Sequence, residues 1–358
     1  VPVAVPALTG VVPVVVYAAQ GSCEYTIPEA AGQSTSDPAD PNPGGVMKIL
    51  VTGGAGFIGS TVADHLLEHG HEVHILDDLS TGFEENVPSR AVFHRLDLRS
   101  GEAHGLVRDG SFDAVCHHAA QMDVRRSVRE PLFDADVNIL GTVNLLEACR
   151  LGGVRRVVYA STGGAVYGEP EEIPVREDHP IRPICHYGIS KHTAEHYLFL
   201  YRHLFGLDYV VLRYPNVYGP RQNPHGEAGV TAIFTLAYLS GRRPRINGDG
   251  MQLRDYVHVS DIARANRLAI ESRDPAVSGG IFNIGWGVGR SVRELDAILR
   301  GLVGTDLLPV FGPPLPEEIL RIALDSTRAA SVLGWTPSIP FESGLADLVG
   351  YHRARIGS

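Results

Sequence analysis

A tyrosine and a lysine four positions apart, Tyr187 and Lys191 in the stretch HYGISK, are the first residues whose types and spacing suggest proton chemistry. On a helix running to about Phe205 they project from one face and can meet a common ligand. A phenol with a pKa of about 10 is a poor base at neutral pH, and an ammonium one turn away favours its phenolate. Such pairs also occur on ordinary surfaces, but this chain writes its basic residues almost entirely as Arg. Of 31 basic residues, only Lys48 and Lys191 are lysine. The planar fork of Arg would not replace a compact ammonium, so a lysine kept at 191 speaks for chemistry there.

Chemistry of this kind needs something to position it, and the stretch Lys48 to Ser60, KILVTGGAGFIGS, supplies a frame. The apolar run Ile49, Leu50 and Val51 is too short for a helix and suits a fully buried parallel strand. After Thr52 come Gly53, Gly54, Gly56 and Gly59, and then Val62, Ala63, Leu66 and Leu67 recur at helical spacing. Strand, glycine turn and helix in this order open a dinucleotide fold. Gly53 permits the tight turn, Gly56 lets backbone approach a pyrophosphate, and Gly59 lets helix and strand lie close. The helix N-terminus then faces the phosphates. A glycine fingerprint alone is weak. Roughly 20 residues further on, the next apolar run ends in Asp77 and Asp78. A carboxylate there hydrogen-bonds ribose hydroxyls and repels a 2′-phosphate, which favours NAD over NADP; the bland reading is an ordinary strand end with a solvated Asp. A cationic nicotinamide would add to Lys191 in favouring a Tyr187 phenolate.

The whole chain has 358 residues, 44% hydrophobic and 20% charged, a composition that fits one large or two modest globular domains. A formal net charge of −10 argues against general binding to nucleic acid or anionic membranes, so an anionic substrate would need a local basic pocket. The four cysteines, Cys23, Cys116, Cys149 and Cys185, show no CxxC spacing, so neither a zinc site nor a disulfide framework is indicated. Reduced thiols in a cytoplasmic protein are expected. Val11 to Ala19 is apolar but flanked and broken by prolines, and is too short to span a bilayer. Ser34 to Gly45 has the composition of a flexible linker, and Met47 stands just before the first strand. Residues 1–46 are therefore expected to be an extension, or sequence upstream of a wrongly placed start.

From Met47 the chain alternates short apolar runs with helical stretches. This pattern implies an α/β fold with a doubly wound, parallel Rossmann-type sheet. Beyond about Pro215 the spacing loosens. Gly248-Asp249-Gly250 reads as a turn, and Ser291 with Glu294 as a capping box. The expected division is a cofactor domain of 47–215 plus about 256–286, and a smaller substrate domain of about 216–255 plus 287–358.

With TGGAGFIGS (52–60), DDLSTG (77–82), HHAAQMDVRRS (117–127), VNILGT (137–142), ASTGGAVYG (160–168), YGISK (187–191), RYPNVYGPRQ (213–222) and GDGMQLRDYVHVSD (248–261), the chain resembles the extended short-chain dehydrogenase/reductase family. Within it the resemblance is to nucleotide-sugar epimerases. That implies 4-epimerisation of a UDP-hexose with a firmly held NAD, through a transient 4-keto sugar. It assigns Tyr187 as base, Lys191 as its partner and Thr162 as the hydroxyl stabilising the reacting oxygen, with Ser161 as fallback because the loop carries an extra glycine. Gly53, Gly56, Phe57, Ile58, Gly59, Asp77, Asp97, Leu98, Ala119, Ala120 and Tyr214, with Tyr187 and Lys191, fall at cofactor positions. Asn216, Arg221 and Arg254 fall at substrate positions. No metal is implied, and the His117-His118 pair reads as strand-end filler. Family members usually form homodimers through helices matching 134–150 and 187–205, although the apolar residues there could equally face the sheet.

Two departures from the family pattern matter. Nucleotide-sugar 4,6-dehydratases carry an Asp–Glu pair just after the Thr, where this chain has Gly163 and Gly164. Without that acid–base couple elimination is disfavoured. Decarboxylation or reduction of a sugar nucleotide, and non-catalytic NAD(H) binding, compete with epimerisation for the same motifs. An Arg that grips the diphosphate in many relatives falls on Leu315, and Arg321 is expected to compensate. The position gating bulky 2-substituents falls on Ile322, which suggests entry for N-acetylated sugars.

Overall fold

Seven parallel strands carry the site. The structure, a computed structural model, describes residues 45–224, 229–315 and 319–356. The expectation for residues 1–46 thus lies, save for its last two positions, outside the described residues. In chain order, β1 (Lys48–Thr52), α1 (Phe57–Glu68), β2 (Glu72–Asp77), β3 (Val92–Arg95), α2 (Gly101–Asp109) and β4 (Ala114–His117) build the first half. Then come α3 (Val124–Arg129), α4 (Pro131–Ala135), a π-turn (Asp136–Leu140), α5 (Gly141–Gly152), β5 (Arg156–Thr162), α6 (Gly163–Val166), α7 (His186–Phe205) and β6 (Asp208–Tyr214). The remainder comprises β7 (Asn216–Tyr218), α8 (Val230–Leu239), β8 (Arg245–Asn247), β9 (Leu253–His258), α9 (Val259–Glu271), β10 (Gly280–Asn283), β11 (Gly289–Ser291), α10 (Val292–Val303), β12 (Val310–Gly312) and α11 (Phe341–Ile356).

The main sheet has the order β10-β6-β5-β4-β1-β2-β3, and every pair in it is parallel. Burial on both faces explains why its strands are unbroken apolar runs rather than alternating ones. Ile49, Val51, Val158 and Val210 pack into one core with α1 and α9. Leu50, Val115, Val157, Tyr159 and Val211 enter the opposite core, with residues of α2, α5 and α7. Strand order reverses between β1 and β4. That reversal opens the crevice at the carboxyl ends where doubly wound sheets bind ligands.

A smaller sheet, β11-β9-β7, joins α8, α10 and α11 around a core of Tyr218, Phe234, Tyr256, Leu295 and Leu345. Ser291 caps α10 in a full capping box with Glu294. The glycines of the expected turn take positive φ, Gly248 at 69° and Gly250 at 77°. One expected boundary shifts. Position 256 falls inside β9, whose residues 256–258 pair with β7, so the chain returns to the main sheet only with α9 and β10.

Candidate functional site

The glycine loop meets the next loop of the sheet at the switch point. Gly53 sits at φ 68°, and a Cβ there would lie 2.6 Å from the Ala119 amide nitrogen, so no side chain fits between the loops after β1 and β4. A Cβ on Gly59 would stand 2.2 Å from the Gly53 carbonyl oxygen, which makes glycine the condition for α1 to start this close to β1. Gly56 has only that carbonyl near it, at 3.2 Å, and caps α1 with extended backbone. It therefore leaves an amide-lined cradle at a helix N-terminus, which fits a pyrophosphate. Phe57 and Ile58 begin α1, and the Phe57 carbonyl accepts from Ser60 and Thr61 hydroxyls.

Asp77 ends β2, nearly buried, and accepts from the Ala55 amide at 3.0 Å and the Leu79 amide at 2.8 Å. Burial raises its pKa against those two bonds. The carboxylate thus keeps the glycine loop in place while retaining lone pairs for ribose hydroxyls. Asp97 is gripped by Arg99, which holds its pKa low and also reaches Asp136; Leu98 beside it is buried. The Ala119 amide donates to Thr52 Oγ1 at 3.2 Å, and Ala120 follows in the same loop. Tyr214 closes β6, its ring stacked on His118 and its hydroxyl accepting from Asn266 Nδ2 at 2.7 Å.

Thr162 and Tyr187 meet at the carboxyl end of β5, and Lys191 lies one turn further along the same helix as Tyr187. Thr162 is the last residue of that strand, while Tyr187 and Lys191 lie in the first turns of α7, capped by Cys185 Sγ accepting from the Gly188 amide. Burial pushes the Tyr187 phenol well up, with Cys185 and Asp134 adding to the rise, and a hydrogen bond with Thr162 opposes it. Ser161 points elsewhere, donating to Glu195 at 2.6 Å, so the geometry favours Thr162 over the fallback. Lys191 is 3% exposed, with Nζ 4.3 Å from the centre of the Tyr159 ring. Burial takes its pKa down to about 7, and the charges of Glu195 and Asp134 resist the fall.

Those two carboxylates escaped the reading of the sequence. Glu195 takes a fork from Arg213, Nε to Oε1 at 3.0 Å and Nη2 to Oε2 at 2.6 Å, and both side chains are 3% exposed. Asp134 accepts from Gln121 Nε2 at 3.0 Å and from Asn138 Nδ2 at 3.1 Å, and Asn138 sits in the π-turn. A glutamate one turn after Lys191 was a signal in plain sight. His117, expected to be strand-end filler, bridges Thr52 and Thr142 hydroxyls at 2.8 and 3.0 Å, and burial keeps it neutral.

On the substrate side, Asn216 and Arg254 lie on neighbouring strands of the small sheet, while Arg321 and Arg221 lie outside its strands. Register pairs Asn216 with Tyr256, two places along β9 from Arg254 and on the same side of it. Arg321 lies beside Leu253 in an isolated bridge, and its guanidinium donates to the Glu171 carbonyl at 2.9 Å. Arg221, at φ 69°, turns onto α1 and pairs with Asp64 at 2.6 Å, which holds the loop after β7. Leu315 is exposed and Ile322 is buried with Val166, Tyr167, Val175 and Leu324.

A glycine-cradled switch point and a buried Thr–Tyr–Lys cluster at the same carboxyl edge of one parallel sheet define a dinucleotide-binding class of protein. The sequence model of the NAD dependent epimerase/dehydratase family matches residues 49–285. The chain is 47% identical over 312 residues to a UDP-glucose 4-epimerase of Mycolicibacterium smegmatis, covering 86% of this chain and 99% of that one. It superposes with a TM-score of 0.84 on a UDP-glucose 4-epimerase of Thermotoga maritima crystallised with UDP-glucose, at 44% identity over 87% of this chain and 100% of the other. A Thermus thermophilus UDP-glucose 4-epimerase in complex with NAD matches with a TM-score of 0.81 and 44% identity, over 86% and 99% of the two chains. The chain belongs to the NAD dependent epimerase/dehydratase family.

Proposed function

We propose that this protein interconverts the 4-epimers of a UDP-hexose, UDP-glucose and UDP-galactose first among them, with NAD as its resident cofactor. The observation carrying this reading is the Thr162–Tyr187–Lys191 cluster at the carboxyl end of β5, opposite the glycine cradle. The cradle and Asp77 fit NAD, which when bound supplies the acceptor and donor of hydride at the sugar C4. Tyr187 takes the proton from the 4-hydroxyl oxygen and later returns it. Thr162 hydrogen-bonds the same oxygen as charge builds on it, and the Lys191 ammonium favours the phenolate. Asn216, Arg254 and Arg321 offer polar contacts to the nucleotide and diphosphate from the small sheet, which we assign to the sugar nucleotide.

Elimination of water is disfavoured sterically as well as chemically. A Cβ on Gly163 would lie 2.4 Å from Leu324 Cδ1, so the first carboxylate of a dehydratase pair would have to displace that buried side chain. Cys116, Cys149 and Cys185 form no disulfide among the described residues, and such thiols suit a reducing cytoplasm. Among the described residues no helix is long and apolar enough to cross a membrane. For a homodimer, Leu145, Leu146, Leu198 and Tyr201 pack into the core beside the sheet, but Leu140 (61% exposed) at the end of the π-turn and Phe199 (59%) and Leu204 (53%) on α7 leave apolar surface for a second copy. The test is to incubate the protein with UDP-glucose and follow products by NMR. UDP-galactose is expected, and Tyr187→Phe should keep NAD and lose about 100-fold or more in turnover. A 4-keto-6-deoxy product, or a fully active Tyr187→Phe, would refute this reading.

A further inference from the structure

One buried carboxylate stands where three elements of the site converge. Glu195 lies one turn beyond Lys191 on α7. Its Oε1 accepts from Ser161 Oγ at 2.6 Å, the residue before Thr162 at the end of β5. Both its oxygens are held by Arg213, the residue before Tyr214 at the end of β6. His192 Nδ1 reaches Oε2 at 3.1 Å. The Arg213 fork is itself fixed, since Nη1 donates to the Tyr167 hydroxyl at 2.8 Å, which donates in turn to Asn283 Oδ1 at 2.8 Å.

We propose that Glu195 is a positioning residue: locked by Arg213, it clamps α7 to the ends of β5 and β6 and so fixes the placement and charge of Lys191 relative to Tyr187 and Thr162. The proposal rests on the reading of Tyr187 and Lys191 as the acid–base pair. Shape alone would not require this arrangement. A buried ion pair can be replaced by apolar groups of similar volume at little cost, whereas removing one partner leaves the other charge buried and uncompensated. What an apolar pair cannot supply is a fixed anion one turn from Lys191. Glu195 stays ionised because the bonds from His192, Arg213 and Ser161 outweigh its burial and bring it to about 2. The other groups facing Lys191 are Asp134 near α4's end, the Tyr159 ring from β5, Tyr187 on its own helix, and His117 and His118 at the end of β4. Those facing Glu195 are Arg213, Ser161 and His192, with His196 beyond His192, and Tyr159 and Tyr209 from the sheet.

The chain offers a direct readout, because Lys48 and Lys191 are its only lysines. Isotope-labelled lysine in the NAD-loaded protein gives two NMR signals, and Lys191→Arg assigns them. In Glu195→Gln, which keeps the shape and removes the charge, the Lys191 midpoint is expected to move to lower pH while Lys48 stays put. Glu195→Asp should bring it part of the way back. Turnover in Glu195→Gln should fall by about tenfold or more, with KM and bound NAD within about twofold. If the single variant does not fold, Glu195→Gln/Arg213→Met removes both charges, and the same lowered midpoint is expected there. A Lys191 midpoint unmoved in the folded variants, or full turnover despite a lowered midpoint, overturns the proposal. A wild type that shifts as described in its variants yet makes no 4-epimer would instead overturn the proposed function and leave the electrostatic role standing.

Discussion

Replacing Lys191 by Met should make the protein more stable and inactive. The ammonium is 3% exposed, and burial carries its pKa from 10.5 in the unfolded chain to about 7. Between those values the unfolded chain holds a proton that the folded protein does not, so stability rises with pH across the window. Below about pH 7 the full penalty of burying the charge is present, and above the unfolded value none of it remains. At about 1.36 kcal/mol per pKa unit the penalty is on the order of 5 kcal/mol at pH 6. Methionine has a similar length and no charge, so Lys191→Met should recover most of that amount at pH 6 and progressively less toward pH 10. The assay is urea unfolding of NAD-stripped wild type and variant at intervals from pH 6 to 10, at constant ionic strength. A stability gap that is absent at pH 6, or that does not narrow as pH rises, would refute the argument. Turnover with UDP-glucose should be lost at every pH, the kind of exchange of function for stability expected at a catalytic site.

The remaining predictions concern the two ligands. Asp77→Asn keeps one acceptor for the loop amides but removes the charge that would repel a 2′-phosphate. Titration calorimetry should show the preference for NAD over NADP shrinking by about tenfold or more, and an unchanged preference would remove Asp77 from the discrimination. Arg254→Ala should raise KM for UDP-glucose by about tenfold or more, since a charged contact to phosphate is worth about 1.5–3 kcal/mol. Arg221→Ala should leave KM alone and cost at most about 1 kcal/mol of stability, because it breaks a part-exposed pair with Asp64. Steady-state kinetics that reverse this order would return Arg221 to the substrate site.

What could be read from the chain was what is local. The strands of the main sheet stand out because burial on both faces demands unbroken apolar runs, and the glycine loop stands out because sterics leave no other residue at Gly53 and Gly59. The small sheet was hidden. Its strands β7 and β11 have three residues each, and β9 mixes Arg254 and Asp255 with apolar residues, so no period marks them. Asp255 is polar in sequence yet fully buried, accepting from the Trp286, Gly287 and Leu324 amides, a role that no local pattern announces. The ion pair of Arg221 was hidden for the same reason, since its partner Asp64 is 157 positions away. The π-turn at Asp136–Leu140 interrupts a helix whose apolar spacing looks continuous, and it is this widened turn that carries Asn138 to Asp134, Gln121 and Ser190.

Arg221 apart, the hidden residues have one thing in common, which is charge or polarity buried by tertiary contact. Burial drives Tyr187 toward its protonated form and Lys191 toward its neutral one, away from the states the proposed chemistry needs. Glu195 and Asp134 oppose this for Lys191, and Thr162 opposes it for Tyr187. A positive charge arriving above the phenol would push Tyr187 the same way as Thr162 does. The motif sets which atoms meet, while the buried carboxylates behind it set how far burial can discharge Lys191.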